Sequence, residues 1–394
     1  MARAHTQVAI IGAGPAGLML GHLLHLRGID SVILENRSRD YVIERVRAGV
    51  LEQGTVDLMT ATGVGDRLHR EGMRHAGIYL AFNGRRHNID MAELTGGRAI
   101  TIYGQHEVVK DLIAARLAHG GQIAFGADDV SLHDITSDRP RVQFRHDGRL
   151  RELHCDVIAG CDGSHGVSRD AMPPGERQIF ERTYPFSWLG ILAAVPPSLG
   201  EVIYAHHEHG FALHSMRGPQ ITRLYVQCSP DDTLDSWPDE RVWLELEARL
   251  STTDGWTVQR GPVLEKSITT LRSVVMEPMQ HGQLFLAGDA AHVVPPTGAK
   301  GMNLAVADAR VLGEALACWY RTRDRSGLDD YSATCLRRVW RAEHFSWWMT
   351  SMLHRFPGHD AFQERLQLSQ LRYVCRSTAA ATSLAENYVG LEHV

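Results

Sequence analysis

The opening of the chain constrains its fold more than any other stretch. Residues 7–11 read Gln-Val-Ala-Ile-Ile, an apolar run suited to a buried parallel strand. Gly12-Ala13-Gly14-Pro15-Ala16-Gly17 follows at once and opens a helical pattern to about Arg27, where Gly28 can stop it. Residues 31–34 form a second apolar run, and Glu35 closes it. This is one βαβ unit. Gly12 permits the tight turn, Gly14 lets the backbone approach a pyrophosphate, and Gly17 lets helix and strand pack closely. The helix N-terminus supplies free N–H groups and partial positive charge. Glu35 can accept hydrogen bonds from both hydroxyls of a ribose. The unit predicts dinucleotide binding; alone it does not separate FAD from NAD.

Two later stretches repeat the arrangement of strand, then turn. Residues 156–162 read Asp-Val-Ile-Ala-Gly-Cys-Asp, followed by Gly163, His165, Gly166, Ser168 and Arg169. An Asp-Gly pair is most often only a turn, so this stretch gains meaning from the others. Residues 284–287 lead into Gly288, Asp289 and Ala290-Ala291-His292. Pro295-Pro296-Thr297-Gly298 and Lys300-Gly301-Met302-Asn303 come next, before a helical pattern. Asp289 is placed to bind a polyol hydroxyl, and the next helix N-terminus can stabilise negative charge.

A helical pattern over 105–119 carries Val109, Leu112, Ile113 and Leu117 at three- to four-residue spacing. Strand signals surround it at 78–81 and 100–103, and they dominate 185–275. Residues 302–385 read mostly as helices, with an apolar piece at Trp347, Trp348, Met349, Met352 and Leu353 suited to core or a subunit contact. The expected fold class is α/β. A Rossmann-like domain (1–75, 103–182 and 270–320) is interrupted by a β-sheet-rich substrate domain (76–102 and 183–269), and a helical C-terminal region (321–394) follows. A chain of 394 residues accommodates such a division. The net charge of −5 disfavours nucleic acid as a partner. No apolar run approaches the ~18 residues of a membrane span, and no signal peptide fits the first residues. Six cysteines without a CxxC pair suit reduced thiols and a cytoplasmic protein.

In the β-rich part, Ser215 and Arg217 lie two apart, which puts them on one face of a strand. Arg223 and Tyr225 repeat the spacing on the next predicted strand, and antiparallel pairing would join the two sets. An Arg fork with a Ser hydroxyl suits a carboxylate; a solvated sheet face is the competing reading. His207 and His209 are expected on one strand face, but a solvated strand end is preferred to a metal site there.

The three motifs, in this order and spacing, resemble those of the single-component FAD-dependent aromatic hydroxylases. Longer stretches narrow the resemblance to members acting on 4-hydroxybenzoate: Arg-Val-Arg-Ala-Gly-Val-Leu-Glu-Gln-Gly over 45–54, Tyr-Gly-Gln over 103–105, the run 288–301, the Phe-Ser-Trp-Trp-Met-Thr text ending at Thr350, and Ala-Glu-Asn-Tyr-Val-Gly-Leu over 385–391. The similarity spans essentially the whole chain. It implies that Glu35 holds the adenosine ribose and Asp289 the ribityl chain. Arg47 and Gln105 would lie along the FAD phosphates, and Met302, Asn303 and Arg223 near the isoalloxazine. Arg45, His165 and Arg272 would face the nicotinamide dinucleotide, and Asp162 would serve both cofactors. Ser215, Arg217 and Tyr225 would bind the benzoate carboxylate. Tyr204 would face the phenol, backed by Tyr388, with His75 as outer proton exchanger and the Pro296 carbonyl at the same end.

The implied reaction is hydroxylation of 4-hydroxybenzoate to 3,4-dihydroxybenzoate through a flavin hydroperoxide. It would use FAD, O2 and NADPH or NADH, in a cytoplasmic homodimer with no metal, nucleic-acid or membrane partner. Ring attack runs far better on the phenolate, and a free phenol has a pKa of about 10, so the phenol needs a proton acceptor. Asn36 stands where NADPH-using relatives would carry a basic residue, although Arg37, Arg39, Arg45 and Tyr41 remain, so both coenzymes stay open. The rival readings are another hydroxybenzoate as substrate and an FAD- or NAD(P)-dependent dehydrogenase without oxygen chemistry.

Overall fold

The computed structural model describes residues 4–45 and 49–390. One sheet has a parallel row in the order Leu284–Leu286, Arg149–Gly160, Ala4–Ile11, Ser31–Glu35 and Gln122–Phe125. Parallel neighbours need long crossovers, and the helices Pro15–His25 and Gln105–Ala118 lie on two of them. The central strand is sealed on both faces: Val8, Ala9 and Ile10 are fully buried. That burial explains why it reads as a continuous apolar run rather than an alternating one. The row also explains the motif spacing. Strands ending at Leu286, Gly160, Ile11 and Glu35 are immediate neighbours, so all three turns leave the same edge of the sheet.

The second sheet runs His292–Val293, Val263–Glu277, Gln178–Ala193, Ile221–Cys228, Ala212–Gly218, Val202–Ala205, Gly77–Phe82 and Arg85–Asp90. Pro185 lies inside the long strand Gln178–Ala193, where pairing with Val263–Glu277 slips between Thr183 and Ser187. A residue without an N–H fits only such an irregularity. Ser215 pairs directly with Arg223, as antiparallel pairing requires. The register then slips between Met216 and Gly218, so Arg217 is the extra residue of a bulge rather than a simple continuation of the alternation. His207 and His209 depart from expectation: the strand stops at Ala205, and both lie in a turn that reaches Gly210 at φ 105°.

The C-terminal part is helical: Gly301–Thr322, Tyr331–Leu353, Ala361–Arg376 and Thr378–Val389, with short turns between. Met349, Met352 and Leu353 are buried in the core, whereas Trp347 stays 38% exposed. Among the described residues no helix is long and apolar enough to cross a membrane.

The second sheet and the helix Tyr331–Leu353 meet around His354, which has no exposed surface. Its ring stacks on Phe186 (centroids 4.7 Å apart) and Phe211 (4.3 Å). Trp188 Nε1 donates to Nε2 at 2.7 Å, so Nε2 is unprotonated, and Nδ1 donates to the Thr350 carbonyl at 3.0 Å. Burial pushes this imidazole down to about 3, and His214 likewise to about 4. Between these values and the ordinary 6.5 the unfolded chain binds protons that the native state does not. Stability is therefore lost as pH falls through that window, by about 1.4 kcal/mol per pH unit per proton. Urea denaturation at a series of pH values from 7 down to 4 should show this fall. His354→Phe should be less stable at neutral pH, because Trp188 loses its acceptor, yet flatter with pH; an unchanged slope would refute the assignment.

Candidate active site

The shared sheet edge is built by backbone contact. Gly12 N donates to Leu34 O at 2.7 Å, Cys161 N to Ile11 O at 2.8 Å, and Ala287 N to Gly160 O at 2.9 Å. A Cβ on Gly12 would lie 2.4 Å from Cys161 O, and one on Gly17 would lie 2.1 Å from Gly12 O. Neither position admits a side chain. Gly14 differs: a Cβ there would meet nothing closer than 4.0 Å, so it faces open space in front of the helix Pro15–His25. Glu35 accepts from Ala13 N and from Arg37 N, each at 2.8 Å. A carboxylate has about four acceptor positions, which leaves room for a diol.

Asp162 accepts from the backbone N and the hydroxyl of Ser168 at 2.9 Å through Oδ2, while Oδ1 is buried without a partner. Burial raises its carboxyl above the ordinary value, and the bonds from Ser168 oppose that. Arg169, the basic residue after the second motif, donates to the carbonyls of Asp289 (2.8 Å) and Ala290 (2.9 Å) and so clamps the third motif to the second. The Asp289 carboxylate itself makes no hydrogen bond among the described residues and is left for a ligand. Asp308 accepts from Gly288 N at 2.9 Å and from His292 Nε2 at 2.7 Å, fixing the turn from below.

The remaining expected cofactor residues fall in different places. Gln105 opens the helix Gln105–Ala118, and Met302 is half-buried at the start of Gly301–Thr322. Asn303 commits its whole amide to the protein: it accepts from Glu52 N and Thr55 Oγ1 and donates to the Val50 and Ala299 carbonyls, all within 3.0 Å. Arg45 is exposed over the Tyr41 ring, and His165 is exposed with Nδ1 3.0 Å from Ser164 Oγ. Arg272 sits close enough to Arg169 to depress it electrostatically, after burial, the larger cause. Arg47 lies outside the described residues.

The second sheet brings together the residues expected to bind substrate. Ser215 and Arg223 are buried cross-strand partners, and the Arg223 guanidinium lies 5.1 Å from the Tyr225 ring centroid. Gly190 makes this possible, since a Cβ there would come within 3.1 Å of both Arg223 and Tyr225. Arg217 and Arg223 each have a buried Nε without a partner, and neither pairs with a carboxylate among the described residues. Burial lowers the Arg217 guanidinium, Tyr225 opposes, and Arg223 adds to the lowering. Tyr225 is thus an electrostatic neighbour of Arg217 and also of Tyr204.

The Tyr204 hydroxyl lies 2.5 Å from that of Tyr388, and both residues are buried. Burial, then Tyr388, holds Tyr204 well above the ordinary tyrosine range. His75 is buried with Nδ1 2.6 Å from Glu201 Oε2, and no hydrogen bond among the described residues joins it to either tyrosine. Pro296 is exposed, and its carbonyl accepts from Ala299 N at 3.0 Å. The sequence reading assigned no role to Arg169, Asp308 or Glu201. Arg169 carried a signal as the basic residue of the second motif and Asp308 as a carboxylate inside the apolar helical run Leu304–Ala309, whereas Glu201 carried none.

These features match a known family. The FAD binding domain family matches residues 5–346. The p-hydroxybenzoate hydroxylase of Acinetobacter baylyi is 49% identical over 388 residues, covering 98% of this chain and 96% of that protein. The chain belongs to the p-hydroxybenzoate hydroxylase family of FAD-dependent aromatic monooxygenases. More distantly, a 3-(3-hydroxy-phenyl)propionate/3-hydroxycinnamic acid hydroxylase of Mycolicibacterium gilvum is 26% identical over 79% of this chain and 53% of its own. The p-nitrophenol 4-monooxygenase of Pseudomonas putida DLL-E4 shares the fold, with a TM-score of 0.83 and 18% identity over 99% of this chain and 100% of that one.

The residues present fit the family's FAD: open space at Gly14, a helix N-terminus, spare acceptors on Glu35 and Asp289, and an orphaned oxygen on Asp162. Gly14→Val should therefore fold but bind FAD poorly, because the new methyls occupy the cradle at a cost of about 1–3 kcal/mol, about 5- to 150-fold in affinity. Visible absorbance and a melting temperature equal to that of the FAD-stripped wild type would be the signature. Full FAD content in the variant would contradict the placement.

Proposed function

We propose that this protein converts 4-hydroxybenzoate, O2, NAD(P)H and a proton to 3,4-dihydroxybenzoate, water and NAD(P)+. The observation that carries this reading is a cation with a buried, unpartnered Nε and no counter-ion among the described residues, Arg217, and a buried hydroxyl pair, Tyr204 and Tyr388, with Tyr225 next to both. A para-substituted ring with a carboxylate at one end and a phenol at the other answers both. FAD, when bound, supplies electron transfer from NAD(P)H and activation of O2.

Arg217 and Ser215 bind the carboxylate and fix the ring, with Tyr225 as a further donor. Tyr204 accepts the phenol hydrogen while its own moves to Tyr388, and the ring gains phenolate character. Neither tyrosine keeps the charge, since burial disfavours both anions. The proton continues toward His75, and the Pro296 carbonyl sits at this end of the substrate. Trp188, Phe211 and His354, stacked together behind Tyr204 and Tyr225, keep water from the reacting ring. Arg45, His165 and Arg272 take the nicotinamide coenzyme. Phe362, Leu366 and Tyr373, 69%, 55% and 60% exposed on one helix flank, support a homodimer contact in a cytoplasmic protein.

Purified protein given 4-hydroxybenzoate and either coenzyme should consume O2 and form 3,4-dihydroxybenzoate; coenzyme oxidation without O2 uptake would favour the dehydrogenase reading. Arg217→Ala should raise the KM for 4-hydroxybenzoate by about 30-fold or more, the value of about 2–5 kcal/mol for a buried charged contact. Tyr204→Phe should keep FAD and substrate binding and lose most hydroxylation; a normal product yield would sink its role.

A further inference from the structure

We propose that Glu201 is a positioning residue for proton removal: its carboxylate holds the His75 ring with hydrogen on Nδ1, so that Nε2 is the atom that takes up and returns the substrate's proton. The proposal rests on the reading of His75 as the outer proton exchanger of the tyrosine pair. The strand Met73–His75 ends at this residue, and two residues on the chain enters Gly77–Phe82. That strand runs parallel to Val202–Ala205, with Ile78 opposite Val202 and Leu80 opposite Tyr204. His75 and Glu201 therefore meet at the amino ends of two adjacent strands. Tyr204 lies three residues further along one of them, about 10 Å at the usual rise per residue.

The contact is asymmetric. The His75 side chain is 2% exposed and that of Glu201 27%, so the imidazole is inside and the carboxylate at the water boundary. An ionised carboxylate only accepts hydrogen bonds, so at 2.6 Å the hydrogen belongs to Nδ1. The lone pair is then on Nε2, which is buried and has no partner. A buried, unpartnered ring nitrogen whose tautomer is set from the other side is arranged as an acceptor. The other imidazole nearby, His214, takes a hydrogen bond from Ser198 N at 3.1 Å through its own Nε2 and leaves the Glu201 carboxylate to His75. A proton arriving at Nε2 is matched by one leaving Nδ1 through Glu201 to water. The reverse transfer protonates the product and restores the starting tautomer.

Rapid mixing of the FAD-loaded enzyme with 4-hydroxybenzoate in weak buffer, with an indicator dye, reads proton release directly. Glu201→Gln should slow release by about 10-fold or more, the usual effect of removing a carboxylate that orients a histidine. Its FAD content and 4-hydroxybenzoate affinity should stay within about twofold, and Glu201→Asp should recover most of the rate. The pair should be non-additive: Glu201→Gln in a His75→Gln background should slow release no further. Release at the wild-type rate in Glu201→Gln, or an additive double variant, would overturn the proposal with the reading of His75 intact. Wild-type release in His75→Gln alone would overturn that reading and this proposal with it.

Discussion

The close approach of two backbone turns, Gly12–Gly17 and Cys161–Asp162, is the constraint on which the rest of the molecule is arranged. With a Cβ on Gly12 only 2.4 Å from Cys161 O, no side chain can separate strands that end about 150 residues apart in sequence. The hydrogen bonds from Gly12 to Leu34, Cys161 to Ile11 and Ala287 to Gly160 lock four carboxyl ends into one edge. A parallel sheet presents its ligand site beyond that edge. Asp162 is held there through Oδ2 by the backbone N–H and hydroxyl of Ser168, which leaves Oδ1 without a partner, and Asp289 is held through its backbone carbonyl by the Arg169 guanidinium.

The second sheet solves a different problem. A guanidinium withdrawn from water costs several kcal/mol unless it is paired, and Arg217 is withdrawn without a carboxylate among the described residues. Its bulge position and the missing side chain at Gly190 make the space that keeps Arg217, Arg223 and Tyr225 together. An incoming carboxylate would recover that cost, and an analogue without one would leave it in place. On the proposed function, selectivity for an aromatic acid would follow from the unpaired charge more than from the shape of the apolar wall.

The sequence made legible what is local. The glycines, Glu35, Asp162 and Asp289 follow from backbone rules within a few residues of each strand end, and the spacing of Ser215, Arg217, Arg223 and Tyr225 anticipated one cross-strand cluster. The bulge at Arg217 was not legible, because it depends on how the partner strand turns at Ile221. Long-range polar contacts were hidden for the same reason. Arg169 reaches 120 residues to Asp289, Glu201 reaches 126 to His75, and Asn303 reaches 251 to Glu52. Periodicity reports which face of an element is buried and carries no information on which distant polar group will meet it. Asn303 is instructive: its place beside the third motif was readable, but all of its hydrogen bonds go to the protein.

That hidden layer also joins the third motif to the last helix. Lys300 stands at the start of the helix below the third motif, buried, with Nζ 2.7 Å from Glu52 Oε1 and 3.0 Å from the Tyr388 carbonyl. Burial pushes its ammonium down and Glu52 opposes that, while Arg338 holds the other Glu52 oxygen at 3.1 Å. Asn303, one turn further along, ties the same helix to the backbone of Val50 and Glu52. The last helix, Thr378–Val389, is therefore held in part by a charge at the start of the helix that follows the third motif. Lys300 thus ties the helix after the third motif to the residue whose hydroxyl meets Tyr204, and a buried ion pair that adds little to net stability gains its value from holding these elements in one arrangement.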